Sequence, residues 1–192
     1  MLKEKLKDYH IILASKSPRR QQFFKDLNID FTIKTIEVDE IYPKELKGLE
    51  ITDFLADLKS KAFKNLSEND ILITSDTIVW LDDKALGKPK DETDAYNMLR
   101  SLSGKNHDVI TSICIKSNHF LKIVNDVTTV SFKDLTDEEI WYYIKNYKPF
   151  DKAGAYGIQE WIGFIAIDKI EGSYFNVVGL PVHKLYKELV NL

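Results

Sequence analysis

The chain is 192 residues long with 44% hydrophobic and 30% charged side chains, a balance that argues against disorder and against a fibrous protein. That length suits one domain or two tightly fused lobes. A formal net charge of only −3 argues against a general nucleic-acid-binding surface, so any basic site must be local.

The opening MLKEKLKDYH alternates charges and lacks the apolar core of a signal peptide. No apolar run reaches the roughly 20 residues needed to span a bilayer. A single cysteine, Cys114, excludes an internal disulfide framework or thiolate zinc site and fits a reducing compartment. The expectation is a soluble cytoplasmic protein with no nucleic-acid or membrane partner.

Ile11-Ile12-Leu13 reads as a short strand, and Gln21 to Leu27 carries helical spacing. Between them lies ASKSPRR, in which Ser17 is a natural N-cap and Pro18 a natural first helical residue. Arg19 and Arg20 then occupy the first turn, where the helix dipole is already positive. Cations there cost about 0.3–1 kcal/mol each, unless a multiply charged anion binds between them.

Phe31 to Val38 predicts a second strand, and Ile51, Phe54, Leu55, Leu58 and Ala62 mark an amphipathic helix. A strand runs from Ile71 toward Trp80 and turns at Asp82-Asp83. Asp91 to Leu102 predicts a helix with an acidic first turn, closed by Ser103-Gly104. Val109 to Ile115 and Leu121 to Phe132 read as paired strands. Thr136 and Glu139 form a capping box before a helix through Ile144. Phe164 to Ile167 predicts a late strand, and Val182 to Leu192 a last helix. Alternating strands and helices favour an α/β fold, with a mixed sheet if the strands near 110–132 pair antiparallel.

Neither GxxxxGK[ST] nor GxGxxG is present, so phosphate must be held another way. A strand, a Ser-rich turn and a helix N-terminus offer backbone N–H groups for an anion. Asp76, in Ser75-Asp76-Thr77, stands inside a β-branched strand, where a carboxylate is costly without a partner or a metal. Asp39-Glu40 could add a second carboxylate. Two such groups suit Mg²⁺ or Mn²⁺, hard cations that bind through one or two carboxylates plus substrate phosphates. Lys59 edges an apolar helix stripe and Lys88 lies in Leu86-Gly87-Lys88-Pro89; for either, solvation of a lone lysine is the alternative.

LASKSPRR, SDTIV, LGKP, LSGKNHDVITS, DKAGAYGIQ and GSYFNVVGLP, in this order and at these separations, resemble the Maf family of nucleoside triphosphate pyrophosphatases over nearly the whole chain. The resemblance implies one Maf-like α/β domain over residues 1–192. Its expected form is an elongated mixed sheet flanked by helices, in two lobes with a central cleft, like inosine triphosphate pyrophosphatases. It also implies hydrolysis between the α and β phosphates and a possible homodimer. Asp76 matches the family's proton acceptor. Arg19, Thr77 and Gln159 match its substrate-selecting positions, and Ser15, Arg20, Glu40, Lys59, Lys88 and Lys152 match other polar positions expected to line the cleft. Glu40 and Asp76 are the expected metal ligands, with Lys88 in the catalytic set.

Asp-Thr together with Gly-Ile-Gln resembles the branch acting on dTTP and UTP, as against the one acting on 7-methyl-GTP. The sequence departs from the family pattern at Glu160, where a glycine is usual, and at Ser60, where an alanine is usual. A nucleotide-sensing regulator of cell division with little turnover is the competing reading from a different functional class. His10, His107, His119 and His183 show no ligand spacing, and Cys114 has no activating neighbour in sequence.

Overall fold

The computed structural model describes residues 2–192. In chain order the elements are α1 (Leu2–Lys5), β1 (His10–Leu13), α2 (Pro18–Asp26), β2 (Phe31–Ile33), α3 (Leu49–Lys61), β3 (Asp70–Leu81), β4 (Lys84–Leu86) and α4 (Glu92–Leu102). There follow β5 (Asn106–Lys116), β6 (Leu121–Phe132), α5 (Asp137–Tyr147), a 3-10 turn (Ala153–Ala155), α6 (Trp161–Ala166), β7 (Ile167–Glu171), α7 (Tyr174–Val178) and α8 (Val182–Val190).

Seven strands form one mixed sheet in the order β2-β1-β3-β5-β6-β7, with β4 pairing β3 off that path. β1 runs parallel to β2 and β3, whereas β3 pairs β4 and β6 pairs β7 antiparallel. The parallel register is set by composition. Ile11, Ile12 and Leu13 are all buried, the continuous apolar run of a strand covered on both faces. The mixed α/β fold expected from the sequence is the fold found.

The chain divides into two compact units, the first made of Met1–Asp76, Thr111–Asp126 and Gly179–Leu192, the second of Thr77–Ile110 and Val127–Val178. In the first, Ile11, Leu13, Phe24, Ile71 and Ile73 pack with Leu180, Leu185 and Leu189. In the second, Leu99, Leu102, Val130, Phe132, Ile140, Tyr143, Tyr156 and Ile162 form a separate core. The β3–β4 connection is the predicted turn, with φ of 48° at Asp82 and 59° at Asp83, values aspartate tolerates in a tight hairpin.

Two sequence expectations need correction. β2 ends at Ile33 and does not reach Val38. Ile33 and Ile36 are 50% and 49% exposed, so no burial rewards extending this edge. Phe164 to Ala166 belong to helix α6, and only Ile167 begins a strand. Ile162 and Ala166, four apart, are buried on one helical face while Phe164 is 78% exposed on the other. The short apolar run carried no period long enough to separate helix from strand.

Candidate active site

The strand-to-helix corner forms as the sequence predicts. Ser17 caps α2 from an extended backbone and its Oγ accepts from the Arg20 amide, with Pro18 at the first position. Ser15, buried behind it, takes the Ser17 N–H on its Oγ at 3.2 Å and the Gln21 side-chain N–H on its carbonyl at 3.2 Å.

Arg20 does not project into solvent. Its Nε donates to the Gly179 carbonyl at 2.8 Å and its Nη1 to the Ser75 carbonyl at 3.0 Å, pinning the guanidinium against β3 and the segment before α8. Burial pulls its pKa down to about 10; Asp76 and Glu40 push it back up, and Arg19 opposes them. Arg20 therefore stays cationic at neutral pH, within electrostatic reach of Arg19 and of both expected metal-binding carboxylates.

A second cation joins them from α3. Thr74 Oγ1 donates to the Ala56 carbonyl at 2.6 Å, and two residues on, along the same strand face, Asp76 Oδ1 accepts from Lys59 Nζ at 2.6 Å. Ala56 and Lys59 are three apart on the helix, so the two contacts are successive rungs of one strand–helix packing. Lys59 Nζ also lies 3.0 Å from Glu40 Oε1. Lysine, Asp76 and Glu40 side chains are 16%, 8% and 47% exposed, so this is a partly buried triad open on the Glu40 side. Ser75 Oγ is buried without a hydrogen-bond partner beside it in sequence.

Asp76 and Glu40 supply oxygen donors of the kind a hard divalent cation prefers, and both converge on the Lys59 ammonium. Among the described residues no group of three or more His, Cys, Asp or Glu side chains is placed to hold a metal. Glu40 and Asp76 therefore fit a metal only if substrate oxygens complete its coordination.

The remaining predicted residues lie in the second unit. Thr77 is half-buried in β3, one residue past Asp76, and Lys88 is exposed in the segment after β4. The Gly154 N–H donates to the Gly87 carbonyl at 3.0 Å, tying the Lys88 turn to the 3-10 turn that follows Lys152. Gly154 has φ of 65°, and a Cβ there would lie 2.7 Å from Val79 Cγ2, so only glycine fits.

Lys152 is 7% exposed and its Nζ lies 2.8 Å from Asp151 Oδ1 and 2.9 Å from Glu160 Oε1. The other Glu160 oxygen accepts from the Tyr143 hydroxyl, which itself accepts the Gly157 N–H at 3.0 Å. A Cβ on Gly157 would be 2.9 Å from Lys152 Cε, 3.0 Å from Gln159 Nε2 and 3.0 Å from Glu160 Cδ, so these three side chains converge over one glycine. Gln159 Oε1 is buried with no hydrogen-bond partner.

Sequence reasoning missed the engagement of Tyr143, a residue of the helix expected through Ile144, and of Glu160, read only as a departure from the family pattern. The sole signal was that departure, a carboxylate one residue past Gln159. The histidines stay outside both clusters: His10 bonds Asp70, and His107 bonds the Tyr156 hydroxyl at 2.8 Å inside the second core. Cys114 is buried, which pushes its thiol pKa up.

A family profile described as "Maf-like protein" matches residues 10–192. The chain is 64% identical over 193 residues to the dTTP/UTP pyrophosphatase of Flavobacterium johnsoniae, covering 100% of both. It is 58% identical over 192 residues to the dTTP/UTP pyrophosphatase of Flavobacterium psychrophilum, covering 100% of this chain and 98% of the relative. Against the protein of that name from Bacteroides fragilis, identity is 51% over 186 residues, covering 96% of each. The solved structure of a HAM1 protein from Coxiella burnetii superposes with a TM-score of 0.54 at 16% identity, covering 96% of this chain and 100% of that one, a likeness of fold.

Proposed function

This chain belongs to the Maf-like protein family, and from that premise we propose that it hydrolyses dTTP and UTP to the nucleoside monophosphate and inorganic diphosphate. The observation that carries the chemistry is the junction of Lys59 with Asp76 and Glu40, beside the pinned guanidinium of Arg20. Fixed cations and recruitable carboxylates together are what a polyphosphate undergoing hydrolysis requires.

In this reading water adds to the α-phosphorus, the bond from that phosphorus to the bridging oxygen breaks, and diphosphate leaves. The water's proton passes to the Asp76 carboxylate. Arg19, Arg20 and Lys59, with the N–H groups around Ser15, hold phosphate oxygens, and Lys88 serves the leaving group. Thr77, Gln159 and Lys152 are assigned to the nucleoside end. Glu40 and Asp76 would hold Mg²⁺ or Mn²⁺ with the substrate, supplying a Lewis acid against the phosphate charge. The proposal extends to a cytoplasmic location, where nucleotides and a reduced Cys114 are both at home, and to a homodimer. No helix of the described residues is long and apolar enough to cross a membrane.

The test is to quantify monophosphate and diphosphate from a panel of nucleotides with Mg²⁺, with Mn²⁺ and with chelator. Diphosphate from UTP and dTTP, abolished by chelator and by Asp76→Asn, is the expected result. Tight binding without turnover would favour a sensor, and faster cleavage of 7-methyl-GTP would move the substrate to a modified purine.

A further inference from the structure

We infer that Glu160 is a positioning residue of the nucleoside end: it turns Lys152 from a phosphate-seeking cation into a charge-balanced hydrogen-bond donor, and it fixes the backbone that presents Gln159. The inference rests on the assignment of Lys152 and Gln159 to substrate.

The charge argument comes first. Lys152 is almost fully buried, and its Nζ lies within 3.0 Å of two carboxylates, Asp151 at 2.8 Å and Glu160 at 2.9 Å. An ammonium has three N–H groups; one is donated to Asp151, and Glu160 lies beside it as an ion pair. In the Lys59 cluster Arg19 and Arg20 add positive charge. At Lys152 the local sum is one positive and two negative charges, which does not attract a phosphate, whereas an N–H not given to Asp151 can still meet a neutral carbonyl oxygen. The uracil and thymine rings carry such oxygens on both sides of an N–H.

The backbone argument is independent of charge. Glu160, Tyr143 and the Gly157 N–H form a relay from α5 to the 157–160 segment, and Tyr143 is fully buried on that helix. Burial, and after it Glu160, pushes the Tyr143 pKa well above the usual tyrosine range, so the hydroxyl keeps its proton and keeps donating to the carboxylate. Gln159 lies between the two anchored residues, Gly157 and Glu160. Its Oε1 is a buried acceptor with no partner, the group that an N–H of a uracil or thymine ring would satisfy. Cytosine has a ring acceptor in place of that N–H and an amino group in place of the carbonyl. It therefore mismatches Gln159 Oε1 at the ring nitrogen, and the Lys152 donor wherever that donor meets the oxygen on C4, and buried polar groups left unpaired discriminate strongly.

The decisive measurement compares UTP with CTP, and UMP with CMP binding by calorimetry, for the wild type, Glu160→Gln and Tyr143→Phe. Glu160→Gln keeps the shape and hydrogen-bonding capacity but removes the charge. It is expected to reduce the UTP-over-CTP preference in kcat/KM by about tenfold, the loss falling on the KM for UTP more than on kcat. Tyr143→Phe is expected to shift the ratio the same way, and Glu160→Asp to recover part of it. If both variants fold and keep the wild-type ratio in turnover and in binding, the inference is overturned while the enzymatic reading stands. If Glu160→Gln fails to fold, Tyr143→Phe decides alone. A wild type that releases no diphosphate from UTP or dTTP removes the enzymatic reading, and this inference with it.

Discussion

Lys59 Nζ lies 2.6 Å from Asp76 Oδ1, at the end of a strand–helix contact that also fastens Thr74 to the Ala56 carbonyl. Asp76 is 8% exposed, and the Lys59 ammonium offsets part of the cost of burying that carboxylate. Lys59→Met is expected to lower kcat/KM for UTP by about 10²-fold and, by leaving a buried carboxylate short of a cation, to reduce unfolding free energy by about 2 kcal/mol. Diphosphate release and urea denaturation of the same preparation measure the two effects.

Arg20 acts as a fork. A lysine cannot reach the Gly179 and Ser75 carbonyls together, so Arg20→Lys keeps the charge and loses the geometry. The expected result is a rise of about tenfold in KM for the nucleotide with a smaller fall in kcat. An unchanged KM would show that the guanidinium holds the fold only.

His107 supplies the pH dependence. Burial lowers its pKa from 6.5 to about 4, so the folded protein resists a proton that the unfolded chain accepts. The stability gained from the neutral ring is complete above about pH 6.5 and is lost as pH falls toward about 4, a total of about 3 kcal/mol. His107→Gln removes this group, and the difference in unfolding free energy between wild type and variant is expected to change by about that amount across the window. A difference that stays flat would mean that the ring is protonated inside the core.

Gly154→Ala is expected to cost about 2–3 kcal/mol, because the backbone is left-handed there and the new methyl meets Val79. Pairing it with Val79→Ala should recover part of the loss, leaving the conformational share. Thermal unfolding of the two variants separates the contributions.

Much of this architecture is legible in the residues. Ser17-Pro18 announces the start of α2, and the Thr136–Glu139 capping box forms as expected. Local hydrogen-bonding chemistry fixes such features, so they need no knowledge of the rest of the fold. The run around Phe164 reads as a strand in the sequence and folds as a helix because its identity depends on which side chains find a core, a tertiary fact. The candidate site divides the same way. ASKSPRR and SDT mark their own residues, and the structure brings Arg20, Lys59, Glu40 and Asp76 into one electrostatic neighbourhood within the first unit. The carbonyls of Ser75 and Gly179 that orient Arg20 leave no mark in a sequence, since every residue but its side chain offers the same backbone acceptor. The Tyr143–Glu160 contact joins residues 17 apart whose pairing only the folded chain reveals.

The outermost strands of the sheet, β2 and β7, have a consequence for life in a crowded solution. One is three residues long and runs into Lys34; the other exposes Asp168, Lys169 and Glu171. Neither margin offers a long, flat, greasy rail on which a second molecule could add its own strand, so the sheet is guarded against templated fibril growth at both sides.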